Sequence, residues 1–114
     1  MPFINLRTTK KLNDDLKEKL KSEFGNSISM LPGKSEQWLM VSLNDDCSLY
    51  FQGKNNDDIA FIEVKIYGKS SSDSYNKLTN KLTTIVSSLL NINSSNIYVE
   101  YEETPYWGYN GHNF

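Results

Sequence analysis

Between positions 59 and 67 the chain reads Ile-Ala-Phe-Ile-Glu-Val-Lys-Ile-Tyr, and this alternation limits the possible folds more than any other segment. Successive side chains of an extended strand point to opposite faces, so Ala60, Ile62, Val64 and Ile66 share one side while Phe61, Glu63 and Lys65 share the other. A side that is uniformly apolar has to be covered. A side carrying Glu63 and Lys65 has to meet water or another polar surface. The chain must therefore build a sheet with one face packed and one face open.

Two amphipathic segments supply the cover. Leu12, Leu16, Leu20 and Phe24 recur every four residues among Asp, Glu and Lys, which predicts a helix ending near Gly25. Tyr75, Leu78, Leu82, Ile85, Val86 and Leu89 form the inward face of a second, longer helix, with N-cap candidates in Ser70-Ser71-Ser72-Asp73 and an end within Asn91–Asn96. Phe3–Arg7, Trp38–Leu43 and Ile97–Glu102 read as further strands, the second as a buried type, and Ser48–Phe51 as a short return strand. Gly68 breaks the central strand, and the tail Pro105–Gly111 is a turn-rich aromatic cluster.

Strand, helix, strand thus occurs twice without a long linker. The expectation is an α+β fold of two βαβ-like halves, forming one four-stranded mixed sheet with both helices on one face. At 114 residues this is a single domain, 1–114, with a modest core. The charged outer face of the strands at 59–67 and 97–102 would be satisfied by symmetric trimerisation, which would also add burial that so small a sheet lacks.

A net charge of −2, with twelve basic residues scattered along the chain, argues against nucleic acid and anionic membrane as partners. Cys47 is the sole cysteine, which excludes an internal disulfide, a CxxC redox pair and a thiolate zinc cluster, and favours a reducing, cytoplasmic setting. The acidic residues show no ligand spacing and His112 sits in a Gly-Asn-rich tail, so neither a metal nor a cofactor is expected. No apolar run approaches the roughly 18 residues of a membrane span, and no signal peptide opens the chain.

The start of the chain offers two readings, a candidate base or a processed but inert terminus. Met1-Pro2 precedes the strand-like Phe3-Ile4-Asn5-Leu6, and an initiator methionine ahead of proline is usually removed, leaving a secondary amine as the first group of a strand. An unperturbed α-amino group titrates near pH 8, so a working base there needs apolar burial or a nearby cation to lower its pKa.

Several elements in order extend this reading. They are Met1-Pro2-Phe3 opening a strand, Gly33-Lys34 with Trp38 four positions on, Tyr67-Gly68-Lys69 after the central strand, Ile97-Tyr98-Val99, and the tail Trp107-Gly108-Tyr109-Asn110-Gly111. Together they make the whole chain resemble the macrophage migration inhibitory factor family of the tautomerase superfamily. The resemblance implies a homotrimer with sites between subunits and keto-enol tautomerase activity on phenylpyruvate-type acids and dopachrome-like compounds. In some members it implies a cytokine-like, receptor-binding role reached by a non-classical secretion route.

By that resemblance Pro2 is the general base, and Lys34 holds the substrate carboxylate while depressing the Pro2 pKa. Tyr67 takes the place of an isoleucine whose backbone contributes to the site, and its phenol would narrow or polarise the pocket. Tyr98 matches a pocket tyrosine supplied by the neighbouring subunit, while Trp107 and Tyr109 match an apolar wall for an aromatic ring. Glu100 replaces an asparagine at the far end of the substrate. Ionised and within about 6 Å of Pro2 it would raise the amine pKa and repel an anion; at the far end it would bind a phenol or amine. Ile59 and Ile62 stand where the vertebrate cytokines have CxxC cysteines, so their proposed thiol chemistry should be absent. Lys69 reads as a surface lysine.

Two other readings remain at this point. One is a non-catalytic signalling or interaction protein of the same fold with a vestigial pocket. The other is hydration or decarboxylation of a small unsaturated or β-keto acid, which usually requires an added arginine or acid in the pocket, and Arg7 is the only arginine.

Overall fold

The computed structural model describes residues 1–114. Its principal elements are strand β1 (Pro2–Thr8), helix α1 (Asp14–Ser27), strands β2 (Met40–Asn44) and β3 (Ala60–Tyr67), helix α2 (Ser72–Leu90), and strands β4 (Ile97–Thr104), β5 (Gly108–Tyr109) and β6 (His112–Asn113).

The main sheet has the order β2-β1-β3-β4. β1 and β2 run parallel, as do β3 and β4, and the two pairs meet antiparallel along β1 and β3. Each parallel pair is joined through a helix, as a parallel connection requires. The expected pair of βαβ units in an α+β fold is what forms.

The alternation in β3 is reproduced without exception, with Ala60, Ile62, Val64 and Ile66 buried and the residues between them half-exposed. Ile4 and Leu6 of β1 join them, and Leu20, Phe24, Leu78, Leu82, Val86 and Leu90 of the helices close the same core. Asn13 caps α1 by accepting the Leu16 amide, Ser71 caps α2 by accepting the Ser74 amide, and Asn91 ends α2 in a left-handed conformation. No helix is long and apolar enough to cross a membrane.

The uncovered face carries the other half of the pattern. Arg7 pairs with Glu63 at 3.3 Å and Lys65 with Glu102 at 3.5 Å. Buried Asn5 accepts from Asn44 Nδ2 at 2.6 Å. In the register across β3 and β4, Phe61 lies beside Tyr98, Glu63 beside Glu100, Lys65 beside Glu102 and Tyr67 beside Thr104.

Four sequence expectations are corrected. First, α1 continues past Gly25 to Ser27: Gly25 stays helical, and a Cβ there would collide with the Glu36 carboxylate packed over it. Second, no strand forms over Ser48–Phe51. The Asp46 and Cys47 amides are bound to the Lys10 and Thr8 carbonyls, β1 already has a partner on both sides, and only a bridge between Phe51 and Lys54 closes the turn.

Third, the strand expected over Trp38–Leu43 begins at Met40 and is a partly exposed edge, with Trp38 in a 3₁₀ turn over Glu36–Trp38. Fourth, the tail is more than a turn. Asn110 and Gly111, both at positive φ, connect β5 to β6 as a tight hairpin, the arrangement that an Asn-Gly pair favours.

Candidate active site

Pro2 opens β1, one of the two central strands, and lies opposite Ile66. Pro2 is buried and Met1 half-buried. A cleft of about 480 Å³ opens there, lined by Met1, Pro2 and Phe3, by Trp38 and Met40, by Lys65 of β3, and by Trp107 and Tyr109. Seven of its eleven lining residues are hydrophobic, which suits a ligand with an apolar body. Two smaller, mostly polar hollows near Asn56 and Asn96 hold none of these groups.

Lys34 reaches the chain start through a short, well-anchored loop. Leu31 is fully buried, its carbonyl accepts the Lys34 amide at 3.0 Å, and Gly33 makes the turn at φ 82°, a conformation that costs a side-chain-bearing residue. The Lys34 ammonium then donates to the Tyr67 carbonyl at 2.9 Å. The Tyr67 amide donates to the Met1 carbonyl at 3.1 Å. Lys34 and Tyr67 are not lining residues of the cleft; they are tied to its first residue through one peptide unit on either side of Tyr67.

This arrangement has a direct electrostatic consequence. The amino group at the start of the chain is held below its ordinary value, first by burial and second by the Lys34 ammonium. Both effects disfavour the charged amine. No three His, Cys, Asp or Glu side chains converge where they could hold a metal ion.

Aromatic rings continue from the cleft towards Tyr67. Trp38 meets Tyr109 edge-on at 5.3 Å, Tyr109 stacks on Phe114 at 6.5 Å, and Phe114 packs on Tyr67 at 5.5 Å. The Phe114 amide closes this arrangement on the Trp107 carbonyl at 3.0 Å. Trp38, Phe114 and Lys65 were not among the site residues expected from sequence. Trp38 could have been found from its spacing after Lys34. Phe114, the last residue, carried no local signal.

Pro2, Lys34, Tyr67, Trp107 and Tyr109 are therefore gathered at one end of the sheet, and Tyr98 and Glu100 are not. Tyr98 lies against Phe51 and Phe61, at 5.2 and 6.2 Å between ring centroids. Phe61 is five positions along β3 from Ile66, the partner of Pro2, or roughly 17 Å at the rise of an antiparallel strand. Glu100 is beside Glu63, three positions from Ile66 and a further strand away from β1. Within one chain, Glu100 is thus too distant to act strongly on an amine at Pro2.

The family model for macrophage migration inhibitory factor (MIF) matches residues 1–114. Among solved structures, MIF2 of Leishmania major superimposes with a TM-score of 0.92 at 26% identity, over 100% of this chain and 97% of the other. The macrophage migration inhibitory factor homologue of Prochlorococcus marinus gives a TM-score of 0.81 at 26% identity, covering 98% of both chains. The macrophage migration inhibitory factor-like protein of Entamoeba histolytica gives 0.87 at 20% identity, over 99% and 98%, a likeness of fold. A search of curated proteins returned no match.

Proposed function

The chain belongs to the macrophage migration inhibitory factor family of the tautomerase superfamily, and from that premise we propose that it is a cofactor-independent keto-enol tautomerase acting on phenylpyruvate-type aromatic 2-oxo acids and dopachrome-like compounds. Residues 1–114 act as one domain in this reading, and Pro2, exposed by loss of Met1, is the general base. The observation that carries it is the binding of Lys34 and the Met1 carbonyl to the two sides of Tyr67, which puts a fixed cation beside a buried chain start.

Removing Met1 changes two things in this geometry. The Pro2 nitrogen becomes a secondary amine, subject to the same burial and the same neighbouring cation that depress the Met1 amine. The Tyr67 amide loses its acceptor, the Met1 carbonyl, and becomes a free donor beside the Lys34 ammonium. Those two donors would grip a substrate carboxylate. The neutral Pro2 amine would then take a proton from the carbon next to the ketone, the electron pair moving onto the carbonyl oxygen as the enolate. Return of a proton to that oxygen completes the enol with no net change in composition. Trp38, Trp107 and Tyr109 would bind the aromatic ring.

The separation of Tyr98 and Glu100 from this end supports a homotrimer in which a neighbour supplies them. The unpaired edges β2 and β4, the half-open charged face, and the exposure of Met40 (69%) and Tyr98 (57%) are surfaces that such an assembly would cover. Light scattering should return three times 13.1 kDa. Glu100 supports a second reading, a receptor-binding, cytokine-like protein with a vestigial pocket, because a neighbour's carboxylate brought to Pro2 would oppose Lys34.

Ultraviolet-monitored tautomerisation of phenylpyruvate by protein of confirmed Met1-free mass, beside Pro2→Gly, separates these readings. Activity abolished in the variant supports the enzyme; absence of activity in both favours the vestigial pocket.

A further inference from the structure

We infer that Asn110 is a site of spontaneous covalent modification, through which the tail that walls the cleft ages: its side-chain amide is lost as ammonia and the residue becomes mostly isoaspartate. Asn110 is the only asparagine of the chain followed by glycine. The reaction favours that neighbour, because the backbone nitrogen of residue 111 must reach the Asn110 side-chain carbonyl and a Cβ on residue 111 would crowd the approach. Both residues are exposed, and nothing stands within 4 Å of where a Cβ on Gly111 would project. The hairpin ladder joins Gly108 to Asn113 and Tyr109 to His112, which leaves the Gly111 nitrogen outside it.

The only co-reactant is water. The Gly111 nitrogen gives its proton to solvent base and bonds to Asn110 Cγ; ammonia leaves, and a five-membered succinimide remains. Water then breaks one of the two carbonyl bonds to that nitrogen. Breaking the bond at Cγ gives aspartate. Breaking the bond at the former main-chain carbonyl gives isoaspartate, with the backbone now running through the side chain. Each product carries a new negative charge, but isoaspartate also lengthens the backbone by one atom. A two-residue connection with both φ positive, 52° and 86°, has no slack for it.

The consequence reaches the cleft. Phe114, directly after β6, donates its amide to the Trp107 carbonyl, stacks on Tyr109 and packs on Tyr67, and Trp107 and Tyr109 line the cleft. Losing the hairpin register undoes that wall. β5 and β6 are two residues each, and so short a two-stranded hairpin is only marginally stable, so the turn opens readily enough for the attack.

The test is to incubate the full chain at mildly alkaline pH, in buffer and in urea, beside Asn110→Gly and Asn110→Asp. The first variant keeps a turn-forming Gly-Gly pair without the side-chain amide, and the second adds the charge without the extra atom. Peptide mass mapping, labelling by a protein-isoaspartate methyltransferase and fluorescence of Trp38 and Trp107, both in the cleft lining, follow the change. Residue 110 should gain about one mass unit and methyl label before any other asparagine, at a rate within about tenfold of that in urea. Fluorescence should shift in step with the label. Asn110→Gly should show neither change, and freshly prepared Asn110→Asp should keep the native spectrum. A rate below that bound, label at other asparagines first, equal ageing of Asn110→Gly, labelled protein with an unchanged spectrum, or an aged spectrum in fresh Asn110→Asp would overturn the inference. None of these readouts needs turnover, so their outcome is separate from that of the tautomerase reading.

Discussion

Replacing Lys34 with methionine removes a charge while keeping most of the side-chain volume, and the structure sets the size of the effect. Of the three ammonium donors, one is committed to the Tyr67 carbonyl, which leaves two for a substrate carboxylate. A hydrogen bond to a charged group contributes about 1.5–3 kcal/mol, so kcat/KM for phenylpyruvate should fall about 10- to 150-fold on the alkaline plateau. A second effect appears at lower pH. Lys34 is one of the two causes that hold the amine at the chain start below its ordinary value, so without it the amine pKa rises. A base must be neutral to act, and the acid limb of the pH–rate profile should therefore move to higher pH.

The same substitution leaves the Tyr67 carbonyl unpaired, at about 1 kcal/mol or roughly 3–5 °C in Tm. A melting curve thus separates lost chemistry from lost structure. The assay is the ultraviolet-followed pH profile of kcat and KM for Met1-free protein and its variant. An unchanged plateau together with an unmoved acid limb would refute the placement of the Lys34 charge beside the reacting amine.

Further outcomes can be checked independently. If neighbouring subunits share a site, Pro2→Gly and Tyr98→Ala should each lack phenylpyruvate activity, and refolding the two together should restore part of it through mixed trimers; no recovery would refute a shared site. Ile62→Ala, at a fully buried position under the helices, should lower unfolding stability by about 2–5 kcal/mol in a denaturant titration. The Tyr75 hydroxyl, pushed up to about 12 by burial and then by its hydrogen bond to Glu103, stabilises the fold fully below pH 10 and loses that contribution as pH rises towards 12. Tyr75→Phe should remove this alkaline loss. It should also raise the Glu103 pKa, now held low chiefly by that hydroxyl, as read by carboxyl NMR titration.

Much of this architecture was written locally in the chain. The two-residue alternation of β3 and the four-residue recurrence of Leu16, Leu20 and Phe24 state which sides must be buried, because strand and helix geometry alone set those periods. The order of elements then leaves few ways to join parallel strands through helices. Pro2, Lys34, Trp107 and Tyr109 could also be singled out, since the motifs that hold them are short and contiguous.

What the tertiary structure decided depends on contacts between distant positions. Lys34 and Tyr67 are 33 positions apart, and their hydrogen bond exists because a buried Leu31 carries the loop to the end of β3. Lys65 reads in sequence as the polar half of an alternating strand; the register with Phe3 and the start of β1 turns it into a cleft residue. Phe114 joins Tyr67 and Tyr109 because the Asn110-Gly111 hairpin reverses the tail. The β3–β4 register sends Tyr98 to the other end of the sheet and leaves Glu100 at its middle, beside Glu63. Periodicity determines which side of an element faces the core, whereas only the path of the backbone determines which ends of different elements meet.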